Sequence, residues 1–122
     1  MKPKLNPGQY VFCTLMDLTG ININDVLLIF KEDEGITIVM RKETADILGF
    51  SYSLVVSWIT LNVYSSLEAV GLTAAFSKVL SEKGISCNVV SAYYHDHIFV
   101  RIDDAERAMH LLSKLEMDEN QM

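Results

Sequence analysis

The stretch SSLEAVG, which ends at Gly71, places hydroxyl, carboxylate and glycine residues at the start of an apolar helix pattern. The first turn of a helix has about four backbone N–H groups without intrahelical partners, together with a partial positive charge. In one interpretation, Ser65 or Ser66 caps the helix and Glu68 completes a capping box. In the other, the helix begins nearer Val70 or Gly71, and its amides bind an anionic ligand group.

The ligand interpretation gives each residue type a role. The backbone amides of Val70 and Gly71 hold a carboxylate, and Gly71 lets the main chain approach it closely. Glu68 attracts an ammonium group, and Ser66 orients the molecule. The ligand would then be an amino acid or a similar small zwitterion. The capping interpretation uses the same residues, and the sequence leaves both open.

The strongest catalytic candidates in the sequence are Cys87, His95 and His97. A cysteine nucleophile needs a base within hydrogen-bonding reach. On the predicted hairpin, however, Cys87 lies about 25 Å of extended chain away from His95. We therefore predict no catalytic residues and no enzyme activity.

The histidine pair also raises the possibility of a metal site. His95 and His97 project to the same side of an extended segment, but Asp96 points the other way and His110 lies far along the last helix. Two ligands are too few for a typical protein metal site. We therefore predict that HDH is a tight turn, with Asp96 stabilising the corner, and that the protein binds no metal or other cofactor.

Composition excludes several other function classes. The formal net charge is −6, the pI is about 4.9 and no basic stripe compensates, so we expect no binding to nucleic acids or anionic membranes. No apolar run approaches the roughly 20 residues that span a bilayer. The start of the chain lacks the apolar core of a signal sequence, and there are only 2 cysteines. These features predict a cytoplasmic location.

The second half of the chain reads as strand, helix, strand, strand, helix. WITLNVY alternates apolar and polar residues, and apolar positions from Leu72 to Leu80 form one helical stripe that ends before Gly84. ISCNVVSAYY and IFVRI predict two further strands, and DDAERAM begins the last helix. One more strand would complete a ferredoxin-like βαββαβ module, with an antiparallel sheet and helices on one face.

The first half supplies strands but only a short helix. Tyr10–Leu15, Val26–Phe30 and Ile36–Met40 have strand patterns, and KETADIL is a helix that Gly49 ends. The strand missing from the second half must come from the first half or from another chain. We therefore predict an α+β protein of two modules, residues 1–56 and 57–122, with strands exchanged between them.

The second half resembles a known family. LNVYSSLEAVGLTAAFSKVLSEKGISCNVVSAYYHDHIFVRIDDAERAMHLL resembles the ACT domain, in particular the ACT repeats of aspartate kinases. The first half, with LNPGQYVFCTL and EGITIVM, is similar to the N-terminal module of stand-alone bacterial tandem-ACT proteins, and also to the ACT modules of eukaryotic cytosolic arginine sensors. The resemblance implies regulatory binding of small molecules, usually amino acids, at interfaces between paired modules.

The resemblance also implies a second wall for the ligand site. In ACT domains the loop before the helix and the start of the following strand commonly form the effector site, which here implies Ile85, Ser86 and Asn88. Ser86 and Asn88 alternate with Cys87 and would share a face. The complete set of predicted ligand residues is Ser66, Glu68, Val70, Gly71, Ile85, Ser86 and Asn88.

Aromatic residues on the sheet predict an assembly. Trp58, Tyr93, Tyr94 and Phe99 would lie on the face away from the helices, and such a face must be covered. We therefore expect a homodimer with two-fold symmetry. The alternative function is a scaffold module, with a vestigial ligand site, whose bare sheet docks a separate protein partner.

Overall fold

The computed structural model describes residues 2–62 and 69–120, with side chains described for 2–62 and 74–115. The chain forms two compact units. We call Gly8–Val56 the N-terminal unit, and Met1–Pro7 together with Ser57–Met122 the C-terminal unit. No helix in the described ranges is long and apolar enough to cross a bilayer.

The described elements mix antiparallel strands with helices, so the predicted α+β class is confirmed. In chain order they are β1 (Lys2–Leu5), β2 (Tyr10–Leu15), β3 (Val26–Lys31), β4 (Ile36–Arg41), α1 (Lys42–Leu48), β5 (Val55–Asn62), α2 (Ala69–Glu82), β6 (Cys87–Ser91), β7 (Asp96–Arg101) and α3 (Ala105–Asn120). Short 3-10 turns lie before β3 and before α3.

The fourth strand of the C-terminal unit comes from the start of the same chain. β1 pairs antiparallel with β5, placing Lys2 opposite Asn62 and Leu5 opposite Ile59. The strand order is therefore β1-β5-β7-β6. This order completes the ferredoxin-like arrangement around β5, α2, β6, β7 and α3. The predicted exchange of strands is confirmed.

The core of the C-terminal unit lies between its sheet and its two helices. Alternation along the strands turns Ile59 and Leu61 of β5 toward the helices, where both are fully buried. Phe76 and Leu80 lie one helical turn apart on α2 and are also fully buried. Further buried members of this core are Ile85, Ile98, Val100, Ala105, Ala108 and Leu112.

In the N-terminal unit, β2 lies between β4 and the first residues of β5. The 3-10 turn Ile23–Asp25 lies between β2 and β3, at the place that α2 occupies in the other unit. α1 ends as predicted, because Gly49 adopts a left-handed conformation at φ 75°. Cys13 is buried in this unit's core, and burial raises the pKa of its thiol, which is consistent with a packing role.

The two hairpins repeat each other 60 positions apart. The amide of Glu32 donates to the carbonyl of Gly35 at 3.0 Å, and the amide of Ala92 donates to that of His95 at the same distance. The strands that follow, β4 and β7, have the same burial pattern. The prediction that HDH forms the turn is therefore wrong. Tyr93 and Tyr94 form the tip, because the register of the apolar core places Asp96 already within β7.

The division of the sequence into modules 1–56 and 57–122 stays a prediction.

Candidate ligand-binding site

The structure places Val70 and Gly71 in the first turn of α2, which begins at Ala69. The carbonyls to which the amides of Val70 and Gly71 would bond, one helical turn earlier, lie outside the described residues, so the availability of these amides to a ligand stays a prediction. The 14-residue helix is anchored farther along by the buried Phe76 and Leu80. Ser66 and Glu68 lie outside the described residues, so the capping box and the ligand roles of these side chains stay predictions.

Ile85 and Ser86 follow the C-terminal end of α2. Gly84 is left-handed at φ 72°, and the amide of Ile85 donates to the carbonyl of Leu80 at 3.0 Å, which fixes the exit of the helix. Ile85 is 3% exposed, whereas Ser86 is exposed. Both border a cavity of about 440 Å³ whose other lining residues are Ser77, Ser81, Gly84, Cys87 and Val89.

The two predicted walls lie at opposite ends of α2. Gly71 and Ser81 are about 15 Å apart along the helix axis at 1.5 Å per residue. Asn88 is opposite Phe99 in the β6–β7 ladder and is not among the residues that line the cavity. Within one unit, Ser86, which follows the C-terminal end of α2, therefore lies far from Val70 and Gly71.

A buried polar network on the C-terminal unit was missed by the sequence analysis. The indole N–H of Trp58 donates to Nδ1 of His97 at 3.0 Å, and Oγ1 of Thr60 lies 3.1 Å from the same nitrogen. The side chain of Asn6 donates to Oγ1 of Thr60 at 2.9 Å. The amide of Asn6 donates to the carbonyl of Trp58 at 2.9 Å, which fixes the end of β1 on β5.

This network sets the protonation state of His97. The indole N–H can only donate, so Nδ1 must accept and the proton of the neutral ring lies on Nε2. Burial, followed by the charge of His95, lowers the pKa of His97, while Asp96 opposes the shift. A metal on Nε2 would require a proton on Nδ1 facing the indole, so the ring is poorly arranged as a ligand. Nδ1 of His95 is buried without a hydrogen-bond partner among the described residues.

The catalytic and metal interpretations gain no support from the geometry. Cys87 packs against the helix-facing core, and burial raises the pKa of its thiol. His97 pairs with Val90, which is three residues from Cys87 along β6. Because side chains alternate along a strand, His97 and Cys87 lie on opposite faces of the sheet. Within the described ranges, no three His, Cys, Asp or Glu side chains form a group that could hold a metal ion.

Family comparison agrees with this architecture. Models described as "ACT domain" match residues 1–57 and residues 54–114. The chain belongs to the ACT domain family. The resemblance noted from the sequence is confirmed, and the exchanged strand β1 is how this tandem ACT protein completes its C-terminal module.

Solved structures similar to this ACT protein include one of unknown function. A Vibrio cholerae protein, described as a possible transport protein, is 44% identical with a TM-score of 0.85, the match covering 93% of this chain and 88% of that one. An Agrobacterium tumefaciens protein is 24% identical with a TM-score of 0.75, over 93% and 87% of the two chains. No curated protein sequence matches.

The regulatory subunit of aspartate kinase from Thermus thermophilus, in a ligand-free form, has the same fold. It is 9% identical with a TM-score of 0.65, over 93% of this chain and 97% of that one. At this level of identity the similarity establishes the ACT fold alone.

The aromatic face of this ACT protein differs from the prediction. Phe99 is only 3% exposed and Trp58 is half-buried. Val39, the residue equivalent to Phe99 in the other hairpin, is also fully buried. Tyr93 and Tyr94 at the hairpin tip are 93% and 81% exposed. The expectation of a bare sheet face is therefore wrong at Phe99, and the homodimer stays a prediction.

The pKa of His97, which burial lowers, predicts a pH dependence of stability. Because the pKa of His97 is lowered in the folded protein, the unfolded chain binds more protons just below the ordinary value of about 6.5. The free energy of unfolding should be highest above that pH and fall as the pH decreases through it. The pKa values of Asp17 and Asp46 are also lowered, and these carboxylates should affect the free energy of unfolding in a separate pH range, below 3.8.

Trp58→Phe removes the donor, so the pKa of His97 should rise and the slope of stability between pH 7 and pH 5 should flatten. NMR titration of the His97 ring and urea unfolding at each pH measure both quantities. Tyr94→Phe, at the exposed tip, is the matched control and should change neither. An unchanged His97 titration in Trp58→Phe would show that the indole hydrogen bond does not help to lower the pKa of His97.

Proposed function

We propose that this tandem ACT protein is a regulatory protein that binds an amino acid or similar small zwitterion where ACT modules meet. The observation that carries the proposal is the position of Val70 and Gly71 in the first described turn of α2, where backbone amides of a helix start can act as anion donors. They would hold the ligand carboxylate. Glu68 would attract its ammonium group, and Ser66 would orient it.

Rigid anchoring supports this site. Preorganised donors bind a ligand at lower entropic cost than mobile ones. Phe76 and Leu80 pack α2 against the sheet and so hold the helix in place. The sheet residues in the same core are Ile59, Leu61, Ile98 and Val100.

The location of the second wall supports binding between modules. Ile85 and Ser86 follow the end of α2 that is far from Val70 and Gly71, so they would contact the same ligand only where two modules face each other. A homodimer would supply such pairs. The aspartate kinase subunit from Thermus thermophilus is described as regulatory. By analogy, we propose that this protein responds to its ligand in the cytoplasm and passes the signal to a separate protein partner, without catalysis of its own.

A thermal-shift screen with the 20 common amino acids tests the proposal. A ligand at tenfold its Kd should raise the free energy of unfolding by about 1.4 kcal/mol, which corresponds to a few degrees in Tm. Glu68→Gln and Ser66→Ala should reduce the shift. Glu82→Gln, at the other end of the same helix and exposed, is the matched control and should retain it.

No shift with any amino acid, while the dimer persists in gel filtration, would contradict the proposal and favour the scaffold alternative. An equal shift in Glu68→Gln and wild type would retain binding but contradict the assigned site.

A further inference from the structure

Arg41, at the end of β4, is held over an aromatic ring. It is the cross-strand partner of Tyr10 in the β2–β4 ladder. Its guanidinium carbon lies 5.7 Å from the centroid of the Tyr10 ring. Tyr10 is 4% exposed, so this ring is a fixed base, and the contact is a cation–π interaction.

The guanidinium of Arg41 also lies close to Gly8. A Cβ on Gly8 would lie 2.7 Å from Nη1 of Arg41, so the arginine occupies space that a side chain there would take. The segment is pinned in place, because the amide of Lys42 donates to the carbonyl of Gln9 at 2.9 Å. Arg41 is thus close to both the Tyr10 ring and Gly8.

The nearby acidic groups leave Arg41 unneutralised. Asp46 accepts from Nζ of Lys42 at 2.7 Å and from the hydroxyl of Tyr52 at 2.6 Å. These two hydrogen bonds lower the pKa of Asp46. Among the described residues, no carboxylate forms an ion pair with Arg41. Because the guanidinium of Arg41 is held in place without a carboxylate partner, its coplanar N–H donors can bind the carboxylate of a ligand.

Arg41 borders a cavity of about 360 Å³ in the N-terminal unit. The other lining residues are Gly8, Gln9, Lys42, Glu43 and Asp46. The two cationic and two acidic side chains balance, so the cavity has no excess positive charge for a dianion such as phosphate. A singly charged carboxylate is the better complement to the Arg41 fork. The volume admits a small metabolite.

We propose that this cavity is a carboxylate-binding site centred on Arg41, with the side chain of Gln9 as a further donor. Its ligand class is the small organic acid or amino acid with one carboxylate at the Arg41 end. The site is independent of the proposed function, because every lining residue belongs to the N-terminal unit and none belongs to α2 or to the predicted ligand set.

Acetate titration followed by two-dimensional amide NMR tests the site. Acetate should cause saturable shifts at the amides of Gly8 and Gln9, whereas chloride at the same ionic strength should not. Arg41→Ala should weaken acetate binding about tenfold or more, and Arg41→Lys, which keeps charge but loses the fork, should weaken it less. Arg101→Ala, at the equivalent end of β7, is the matched control and should bind acetate as wild type does.

Three results would overturn the inference: no saturable shift at Gly8 and Gln9, the same response to chloride as to acetate, or tighter binding of inorganic phosphate than of acetate. Equal weakening by Arg41→Ala and Arg101→Ala would also overturn it, since that would show a general charge effect. The Val70 and Gly71 amides report on the other proposed site in the same spectra, so failure of either proposal is visible separately.

Discussion

A chain lacking residues 2–6 is expected to lose at least about 3 kcal/mol of stability in its C-terminal unit, because buried polar groups lose their partners as well as a strand. β1 covers the edge of β5, and Asn6 bonds both Thr60 and the main chain at Trp58. Without Asn6, the Trp58 carbonyl and the Thr60 hydroxyl lose these hydrogen bonds.

Urea unfolding followed by tryptophan fluorescence measures this loss directly. Trp58 is the single tryptophan and lies in the C-terminal unit beside Asn6. Asn6→Ala should reproduce part of the effect, about 1–3 kcal/mol. Leu5→Ala is the control: Leu5 is 42% exposed, and its loss should cost less than about 1 kcal/mol. An unchanged transition in the truncated chain would contradict the exchanged-strand architecture.

Phe76→Ala is expected to cost about 3–5 kcal/mol, because it leaves a cavity under α2 that the sheet cannot fill. Phe76 is fully buried and is among the largest side chains of the C-terminal core. A typical domain has a free energy of unfolding of about 5–15 kcal/mol, so this loss could remove most of the stability. The variant should also weaken ligand binding, since Phe76 anchors the helix whose first turn holds Val70 and Gly71.

Urea unfolding by circular dichroism checks the Phe76 prediction. Phe30→Ala is the matched control. The Phe30 side chain, in β3, is 62% exposed, and its removal should lower the free energy of unfolding by less than about 1 kcal/mol. A cost for Phe76→Ala close to that of the control would show that α2 is not packed on the sheet as described.

Local pattern was enough to predict most of the elements. The alternation of Ile59 and Leu61 identified β5 and its buried face, and the glycines at positions 49 and 84 marked the ends of α1 and α2, where both adopt a positive φ. The element order then predicted a missing strand. The sequence could not identify KPKL as that strand, because two lysines and a proline have no apolar face, and the partner β5 lies far along the chain.

The errors concern register and long-range contacts. HDH contains typical turn residues, but its placement depends on how β7 pairs with β6, and the pairing of Asp96 with Ser91 moves the tip to the two tyrosines. The network of Asn6, Thr60 and His97 joins three distant segments, so no spacing reveals it. Phe99 was predicted to lie on an exposed face of the sheet, but it is only 3% exposed, which the local pattern could not reveal.

The candidate ligand site stays a prediction at both of its ends. Helix-start signals in SSLEAVG predicted donors at Val70 and Gly71, and the structure describes α2 from Ala69, after residues that it does not describe. Ile85, Ser86 and Asn88 came from the family resemblance, and within one unit Ser86 lies far from Val70 and Gly71.

The most direct test of the central claim is amide NMR of the intact protein during titration with the amino acid that gives the largest thermal shift. Saturable shifts are expected at the amides of Val70 and Gly71, with the same Kd at Ser86 and Asn88, since both walls contact one ligand. Saturable binding that leaves the Val70 and Gly71 amides unchanged would contradict this claim.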